Sequence, residues 1–433
     1  RKGYGFNDAT GNDIDGRDLW SLRASARWEP VDWLTIDLLG ERFQEKDNRA
    51  RTSKQFCHRD PGPDTVGSYV LKGPIQRALF STGCKEGSLY DDAAFSAPNG
   101  LALPYVFALN AAPFRQGEIR LPNGNYQGQR ILDGSDPYEG LTQSRDIRTI
   151  SSLRDPAYRA KANILELNID VDIANDISLI SQSTYNDDRV YSTQDYNRFN
   201  SRAIFNDTSQ WISSPAFGGG PHPYAPLAPG GVFCDPQLGC SNTIALQDVS
   251  SGNSKQYSQE LRIQSDFSGP INFSFGANYT KFKFLADYYV MGNAFTLLSI
   301  LGPFNTTADI TKCRGFDYDD PAVPATNKCP YIDPNPLERI NGDGHNYFRS
   351  KNPYKLNSSP TFGEFYWQVN PKIKLTGGIR LTHDKKVFTP IPSQLLLSTQ
   401  AFTGGDINRG YIEKPDIVQK WTAPTGRLVL DWK

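Results

Sequence analysis

The chain has 433 residues, a formal net charge of −1 and a sequence pI of about 6.5. Its 46 basic residues are scattered along the chain and form no basic cluster, so the charge pattern argues against a nucleic-acid partner. Aromatic residues make up 12% of a chain with a mean hydropathy of −0.53. That combination is typical of strands with one wet face and aromatic borders, although a soluble β protein also shows it.

The sequence begins at Arg1 without a basic, apolar and small-residue leader, which favours an interior piece of a longer protein. The longest uncharged run, 288–308, is interrupted by Gly292 and Pro303. It is too polar to cross a bilayer as a helix, and we expect a short loop helix over 293–301 instead.

The first predicted element is a hairpin near 19–43. Residues 19–28 alternate, with Trp20 and Leu22 opposite Ser21 and Arg23, which is the period of a strand. A Pro-containing turn at 29–32 and a returning strand over 33–43 complete the hairpin. The next 113 or so positions, 46–158, hold no long alternating run. A loop of that size counts against most compact domains but is expected at one end of a large outer-membrane barrel.

Two further hairpins are predicted near 159–190 and 256–284, separated by a long loop over 191–255. From Ile271 the second of them alternates strictly, and its apolar face carries no charge until Lys281. At roughly 3.3 Å per residue and a tilt near 40°, that stretch climbs about 25 Å, the height of the lipid-facing band of an outer-membrane barrel.

A fourth hairpin is predicted near 361–387 and a last strand over 418–432, with long loops at 285–360 and 388–417. The pattern predicts nine strands, with every short turn at one end and every long loop at the other. We interpret residues 1–433 as part of one all-β transmembrane antiparallel barrel domain. The alternative is a soluble antiparallel sandwich, which is disfavoured by the length of the strands and the segregation of the loops.

The six cysteines fall into three local pairs within polar loops: Cys57 with Cys84, Cys234 with Cys240, and Cys313 with Cys329. Six cysteines permit 15 connectivities, so spacing alone does not prove the pairing. Local pairs in loops are what disulfides in an oxidising compartment look like. A zinc site would need close CxxC spacing or histidines grouped with the cysteines at ligand spacing, and the sequence shows neither pattern.

Three strands resemble those of TonB-dependent outer-membrane receptors. Residues 375–386 (LTGGIRLTHDKK) are similar to the GxRYTxDxK strand of that family. Leu381 stands where an aromatic residue is common, and the matching residues are Gly378, Arg380, Thr382, Asp384 and Lys386. Residues 258–265 (SQELRIQS) and 425–433 (TGRLVLDWK) look like two more of its strands.

The resemblance covers the strands and not the loops. It implies a 22-stranded barrel closed by an N-terminal plug domain, which imports a scarce ligand with energy passed from the inner membrane by TonB. We find no plug, no TonB box and no terminal strand ending in an aromatic residue, so the coupling parts are expected outside this sequence. Nine strands would also leave two long edges with unpaired backbone groups in lipid, and we expect them to pair with further strands.

No catalytic motif or cofactor fingerprint occurs, so the sequence predicts neither an enzyme nor a resident cofactor. Asp13, Asp15 and Asp18 could hold calcium, but the run lacks a downstream bidentate glutamate, and a solvated acidic loop is the favoured interpretation. His58, His222 and His345 lie in separate loops, where one of them could contact an iron complex, and no metal site is predicted.

Two groups of residues are candidates for function. The alternation directs one charged set toward the lumen, where it would contact a plug: Arg23, Arg27, Glu260, Arg262, Glu364, Arg380 and Arg427. Ligand capture would use rigid loop aromatics, which give contact area at low entropy cost: Tyr191, Tyr196, Phe199, Trp211 and Tyr347.

The sequence therefore predicts an energised import receptor in the outer membrane of a Gram-negative bacterium. Its expected partners are outer-membrane lipid, its own plug domain, TonB, a small-molecule or oligomeric ligand such as a siderophore, vitamin or oligosaccharide, and surface or periplasmic proteins. A passive porin-like channel and a soluble secreted sandwich remain the alternatives.

Overall fold

A computed structural model of the chain describes residues 2–105, 117–195, 199–222, 224–301, 335–337, 348–391 and 414–432. Within these residues, nine long strands form one antiparallel sheet in which each strand pairs with its neighbours in the chain. The strands are β1 (Leu19–Val31), β2 (Leu34–Asp47), β3 (Ala157–Ala174), β4 (Ile177–Asp195), β5 (Leu246–Ser265), β6 (Ile271–Gly292), β7 (Phe348–Asn370), β8 (Ile373–Phe388) and β9 (Ile417–Trp432). The predicted all-β class with nine strands is confirmed.

The strands are 13 to 23 residues long, against a usual five or six. Several extend further than the alternation predicts. β5 begins at Leu246 rather than near 256, and β7 begins at Phe348 rather than near 361. The extra residues continue the ladder beyond the apolar stretch, because backbone pairing does not require apolar side chains.

The register places the two kinds of side chain on opposite faces. Ile263, Phe275, Gly363 and Ile379 lie opposite one another on β5 to β8, and their row belongs to what we call the apolar face. The adjacent row, which includes Arg262 and Arg380, belongs to the polar face. Residues directly opposite in an antiparallel pair share a face, so the predicted alternation is continuous across the sheet.

Aromatic residues border the apolar face at both ends. Trp28, Trp367 and Trp432 lie near the short turns and are 63%, 50% and 80% exposed. Tyr185, Tyr257 and Tyr279, all about two-fifths exposed, lie toward the long loops. Exposed aromatic belts around an apolar band are typical of strands that cross a bilayer. Among the described residues, no helix is long and apolar enough to span a membrane.

The connections at the other end fold into a compact unit that we call the loop body, comprising the described residues 2–18, 48–105, 117–156, 199–222, 224–245 and 293–301. Its helices include α1 (Pro74–Ala78) and α2 (Asn293–Leu301), and α2 lies where the sequence predicts a helix. Its short strands are Gly5–Asn7, Asn12–Ile14, His58–Arg59, Thr65–Val66, Tyr69–Val70, Cys84–Lys85, Gly117–Arg120, Tyr126–Gln129, Thr149–Ile150, Ile212–Ser213, Gly220–Pro221, Phe233–Asp235 and Gly239–Ser241. Three 3-10 turns complete it: Asp92–Ala94, Pro215–Phe217 and Pro229–Gly231.

A buried hydrophobic cluster holds the loop body together. Ile131, Tyr138, Trp211 and Phe233 lie at its centre, and Leu297 joins them from α2. These residues come from connections that are far apart in the sequence. The long loops are therefore packed against one another, and this packing sets the shape presented at the long-loop end of the sheet.

Candidate functional site

The polar face of the sheet carries charged residues that are paired across strands. The Arg27 guanidinium donates two hydrogen bonds to Asp37, at 2.8 and 2.9 Å. On β7 and β9, Arg427 lies 2.7 Å from Glu364, which also accepts a 2.7 Å hydrogen bond from the Tyr366 hydroxyl. Bidentate and shared contacts of this kind fix the orientation of the side chains as well as neutralising their charge.

A groove of about 370 Å³ crosses the polar face between β5 and β9. Its wall combines both signs of charge with one aromatic ring, and it is lined in part by Glu260, Arg262, Phe362, Glu364, Arg380 and Arg427. Gly276 makes room for the ring, since a Cβ at that position would lie 2.6 Å from Phe362 Cζ. The groove can offer hydrogen-bond donors, acceptors and a flat apolar surface to whatever packs on this face.

All seven residues predicted to face a lumen lie on the polar face. A single row of paired residues links Arg27 on β1 through Asp37, Asn168 and Gln182 to Glu260 on β5. Arg23 lies on the same face of β1, opposite Glu41. Their contact with a plug stays a prediction.

The predicted ligand-binding aromatics do not converge. Tyr196 and Tyr347 lie outside the described residues. Tyr191 lies on the apolar face of β4 beyond the tyrosine border, where it packs on the cluster around Val249 and its ring centroid is 5.8 Å from the Arg159 guanidinium carbon.

Trp211 and Phe199 belong to the loop body. Trp211 is only 2% exposed, and its indole N–H donates to the side-chain oxygen of Gln129 at 3.2 Å. Its ring therefore stabilises the core of the loop body and offers little surface to a ligand. A large aromatic residue in a long loop is easily mistaken for a contact residue when the loop has a core of its own.

Phe199 lines a second cavity, of about 110 Å³, inside the loop body. Asp8, Gln143, Ser144 and Asn200 contribute polar groups to its wall. This cavity could not be predicted from the sequence, because its lining comes from separate stretches of the chain that carry no common motif.

Two predicted disulfides, Cys57–Cys84 and Cys234–Cys240, are present in the loop body, whereas Cys313 and Cys329 lie outside the described residues. Beside the first bridge, the buried Asp60 carboxylate accepts backbone N–H groups of Thr82 and Gly62 at 2.9 and 3.0 Å. These hydrogen bonds hold the pKa of Asp60 well below its usual range.

The second bridge is joined to α2 through Asp235. This carboxylate accepts the backbone N–H groups of Gln237 and Leu238, both at 2.8 Å, and a short hydrogen bond from the Thr296 hydroxyl. Burial raises the pKa of Asp235 in spite of these donors. The contact connects the loop between β4 and β5 to the helix that follows β6.

Two of the three aspartates considered for calcium, Asp13 and Asp15, have side chains engaged within the protein. Asp13 lies 2.6 Å from the Lys2 ammonium, and an Asp15 carboxylate oxygen accepts the Ala50 N–H at 2.9 Å. No group of three or more metal-ligating side chains is placed to hold an ion in the part of the chain that the structure describes. His222 packs edge-on against Trp211, and burial lowers its pKa.

No protein-family model and no curated protein matches the chain by sequence. Structural comparison finds the ferric yersiniabactin uptake receptor FyuA from Yersinia pestis, with a TM-score of 0.41 and 10% identity over 99% of this chain. It also finds the siderophore receptor PiuA from Acinetobacter baumannii, with a TM-score of 0.41 and 11% identity over 100% of this chain. A third match is the copper transporter OprC, with a TM-score of 0.38 and 10% identity over 99% of this chain.

These three structures are an uptake receptor, a siderophore receptor and a copper transporter. The chain spans 37% of FyuA, 41% of PiuA and 36% of OprC, less than half the length of each.

Proposed function

We propose that the chain is part of an outer-membrane receptor that binds a scarce extracellular ligand and imports it with energy delivered through TonB. The observation that carries the proposal is a nine-stranded sheet with an apolar, aromatic-bordered face and a charged opposite face, crowned at one end by a folded loop body.

The apolar face supports contact with lipid. Ile379, Leu428 and Leu430 are 66%, 77% and 64% exposed, and they belong to a continuous apolar surface rather than to scattered positions. Soluble proteins rarely leave such a surface in water. A soluble sandwich would cover this apolar surface with a second sheet, whereas in a bilayer the lipid chains would cover it.

The polar face supports packing against a folded domain. Its charges are paired in mixed clusters, as between Arg427 and Glu364, instead of forming a field of one sign. The groove around Phe362 adds shape to this surface. A plug held by hydrogen bonds and ion pairs would find partners across the whole face.

The loop body supports capture of a ligand outside the cell. Disulfides, the Asp235 contacts and a buried core fix its shape before a ligand arrives, which reduces the entropy cost of binding. The cavity beside Phe199 is one place where such a ligand could contact it. We assign the ligand only to the class of iron complexes, vitamins or oligosaccharides.

The test separates binding from uptake. Cells that express the intact protein, with and without TonB, are given labelled ferric siderophores, cobalamin and oligosaccharides, and surface binding is measured apart from accumulation. We expect binding with unchanged affinity in both strains and accumulation only with TonB, because a closed lumen requires work to open. Full uptake without TonB or a proton gradient would replace the receptor with a porin-like channel.

A further inference from the structure

The apolar face carries a row of cations just beyond its tyrosine border. Each of the seven adjacent strands β3 to β9 has at least one exposed cation there. On β3 to β8 one of them lies about 14 residues from the short turn of the hairpin, or about 35 Å above it for strands tilted near 40°, and the cation of β9 lies directly opposite that of β8. On the flanks of the row these cations are Lys161 and Arg189, and Lys385 and Lys420. We call the row the basic belt.

The register sets these cations directly against one another. Lys161 lies opposite Arg189, and Lys385 lies opposite Lys420. At the centre of the belt, Lys255 on β5 faces Lys283 on β6, which in turn faces Lys355 on β7. Like charges directly opposite in a sheet, with Cβ atoms about 5 Å apart, are destabilising.

Acidic residues do little to relieve this repulsion. Asp187 lies 3.5 Å from Arg189 and 3.7 Å from Lys255, and both cations are more than half exposed. Among the described residues, no carboxylate lies within 4.0 Å of Lys161, Lys283 or Lys355. The chain therefore keeps a costly arrangement that an external anion would convert into a favourable one.

We propose that the basic belt binds phosphate-bearing headgroups of the lipid leaflet on the long-loop side of the membrane. The inference rests on the membrane placement proposed above. The cations continue the lipid-facing side immediately past Tyr257 and Tyr279, at the level where headgroups begin. Ammonium groups donate to phosphate oxygens, and each basic residue near an anionic surface contributes to affinity.

The extent of the belt favours a lipid surface over one free ion. Its strands lie about 4.8 Å apart, so seven strands present an arc of about 30 Å. A single inorganic phosphate would span only two of them. A layer of headgroups can place an anion against every pair, including the central cluster of Lys255, Lys283 and Lys355.

The experiment uses the intact protein in maltoside micelles doped with phosphatidic acid, with phosphatidylcholine or inorganic phosphate in parallel. Neutralising the central cluster (Lys255→Gln, Lys283→Gln and Lys355→Gln together) is compared with a control that removes the same charge at exposed sites outside the belt. Bound lipid is counted by native mass spectrometry and affinity is measured by titration.

The control variant combines Lys72→Gln, Lys372→Gln and Lys414→Gln. We expect the central variant to bind phosphatidic acid about 100-fold more weakly and the control to bind as the wild type does. In micelles without anionic lipid the central variant should melt at a higher temperature than the wild type, because the repulsion is gone. That gain also shows that the variant folds.

Equal binding by wild type and central variant, or no gain in melting temperature, would overturn the belt. If inorganic phosphate raised the melting temperature of the wild type as much as phosphatidic acid does, a lipid surface would not be the partner of the belt. A wild type that folds without micelles would instead overturn the membrane placement, and so the proposed function.

Discussion

Substituting Phe275 with arginine tests which face of the sheet meets lipid. Phe275 lies on the apolar face, four residues from Ile271 at the tryptophan border and four from Tyr279 at the tyrosine border. At about 3.3 Å per residue it is about 13 Å along the strand from each, near the middle of the band. Its ring centroid is 5.1 Å from that of Phe365, in an edge-to-face contact.

The structure sets the magnitude. A cation at the bilayer midplane of a barrel costs about 2 to 4 kcal/mol. The lost edge-to-face contact adds about 0.5 to 1.5 kcal/mol. Phe275→Arg should therefore lower the free energy of unfolding in lipid by about 3 to 5 kcal/mol, a large share of the stability of an ordinary domain.

The matched control is Asn278→Arg, three residues along the same strand on the polar face. Asn278 lies directly opposite Glu260, so a cation there gains a carboxylate partner. The assay is urea unfolding of the intact protein in vesicles, with the folded fraction read from heat-modifiable electrophoretic migration. Equal stability of the two variants, or a greater loss in Asn278→Arg, would refute the assignment of the faces.

Three further predictions concern single contacts. Arg427→Gln should lower the free energy of unfolding by only about 0.5 to 1 kcal/mol, since its pair with Glu364 is largely open to solvent, and a double-mutant cycle in urea measures this. Because the pKa of Asp60 is lowered in the folded protein, its ionised carboxylate stabilises the loop at any pH above the unfolded-state pKa of about 3.9. That stabilisation is lost as the pH falls through this value toward the pKa of the folded state. Asp60→Asn should therefore weaken hydrogen-exchange protection near pH 6 and flatten its decline in acid. Gly117→Ala, whose Cβ would lie 2.0 Å from Trp211 Cε3, should destabilise the loop body by about 1 to 3 kcal/mol and speed its proteolysis.

Each of these has an outcome that contradicts it. A coupling energy near zero between Arg427 and Glu364 would show that their ion pair does not contribute to stability. An unchanged acid profile in the Asp60 variant would mean that other carboxylates control the loop. For Gly117, the matched change is Gly134→Ala, whose nearest neighbour is a Tyr105 hydroxyl at 3.7 Å, and equal proteolysis of both variants would contradict the packing argument.

The two faces of the long strands could be predicted from the sequence, because successive side chains of a strand point to opposite sides of the sheet. Ile271, Phe273 and Phe275 belong to one side from their spacing alone, and the structure keeps them there. The same period placed Arg262 and Arg380 on the other side. The helix Asn293–Leu301 and two local disulfides could also be predicted, since both depend on neighbouring residues.

Tertiary structure decided what depends on distant residues. The core of the loop body joins Ile131, Trp211 and Leu297, which share no period or motif, so Trp211 looked like an exposed contact residue and is buried. The basic belt appears only when register sets Lys255, Lys283 and Lys355 side by side. A period of two specifies the face of a side chain, whereas its neighbours across the sheet follow from how far each strand slides against the next, and that is a property of the folded chain.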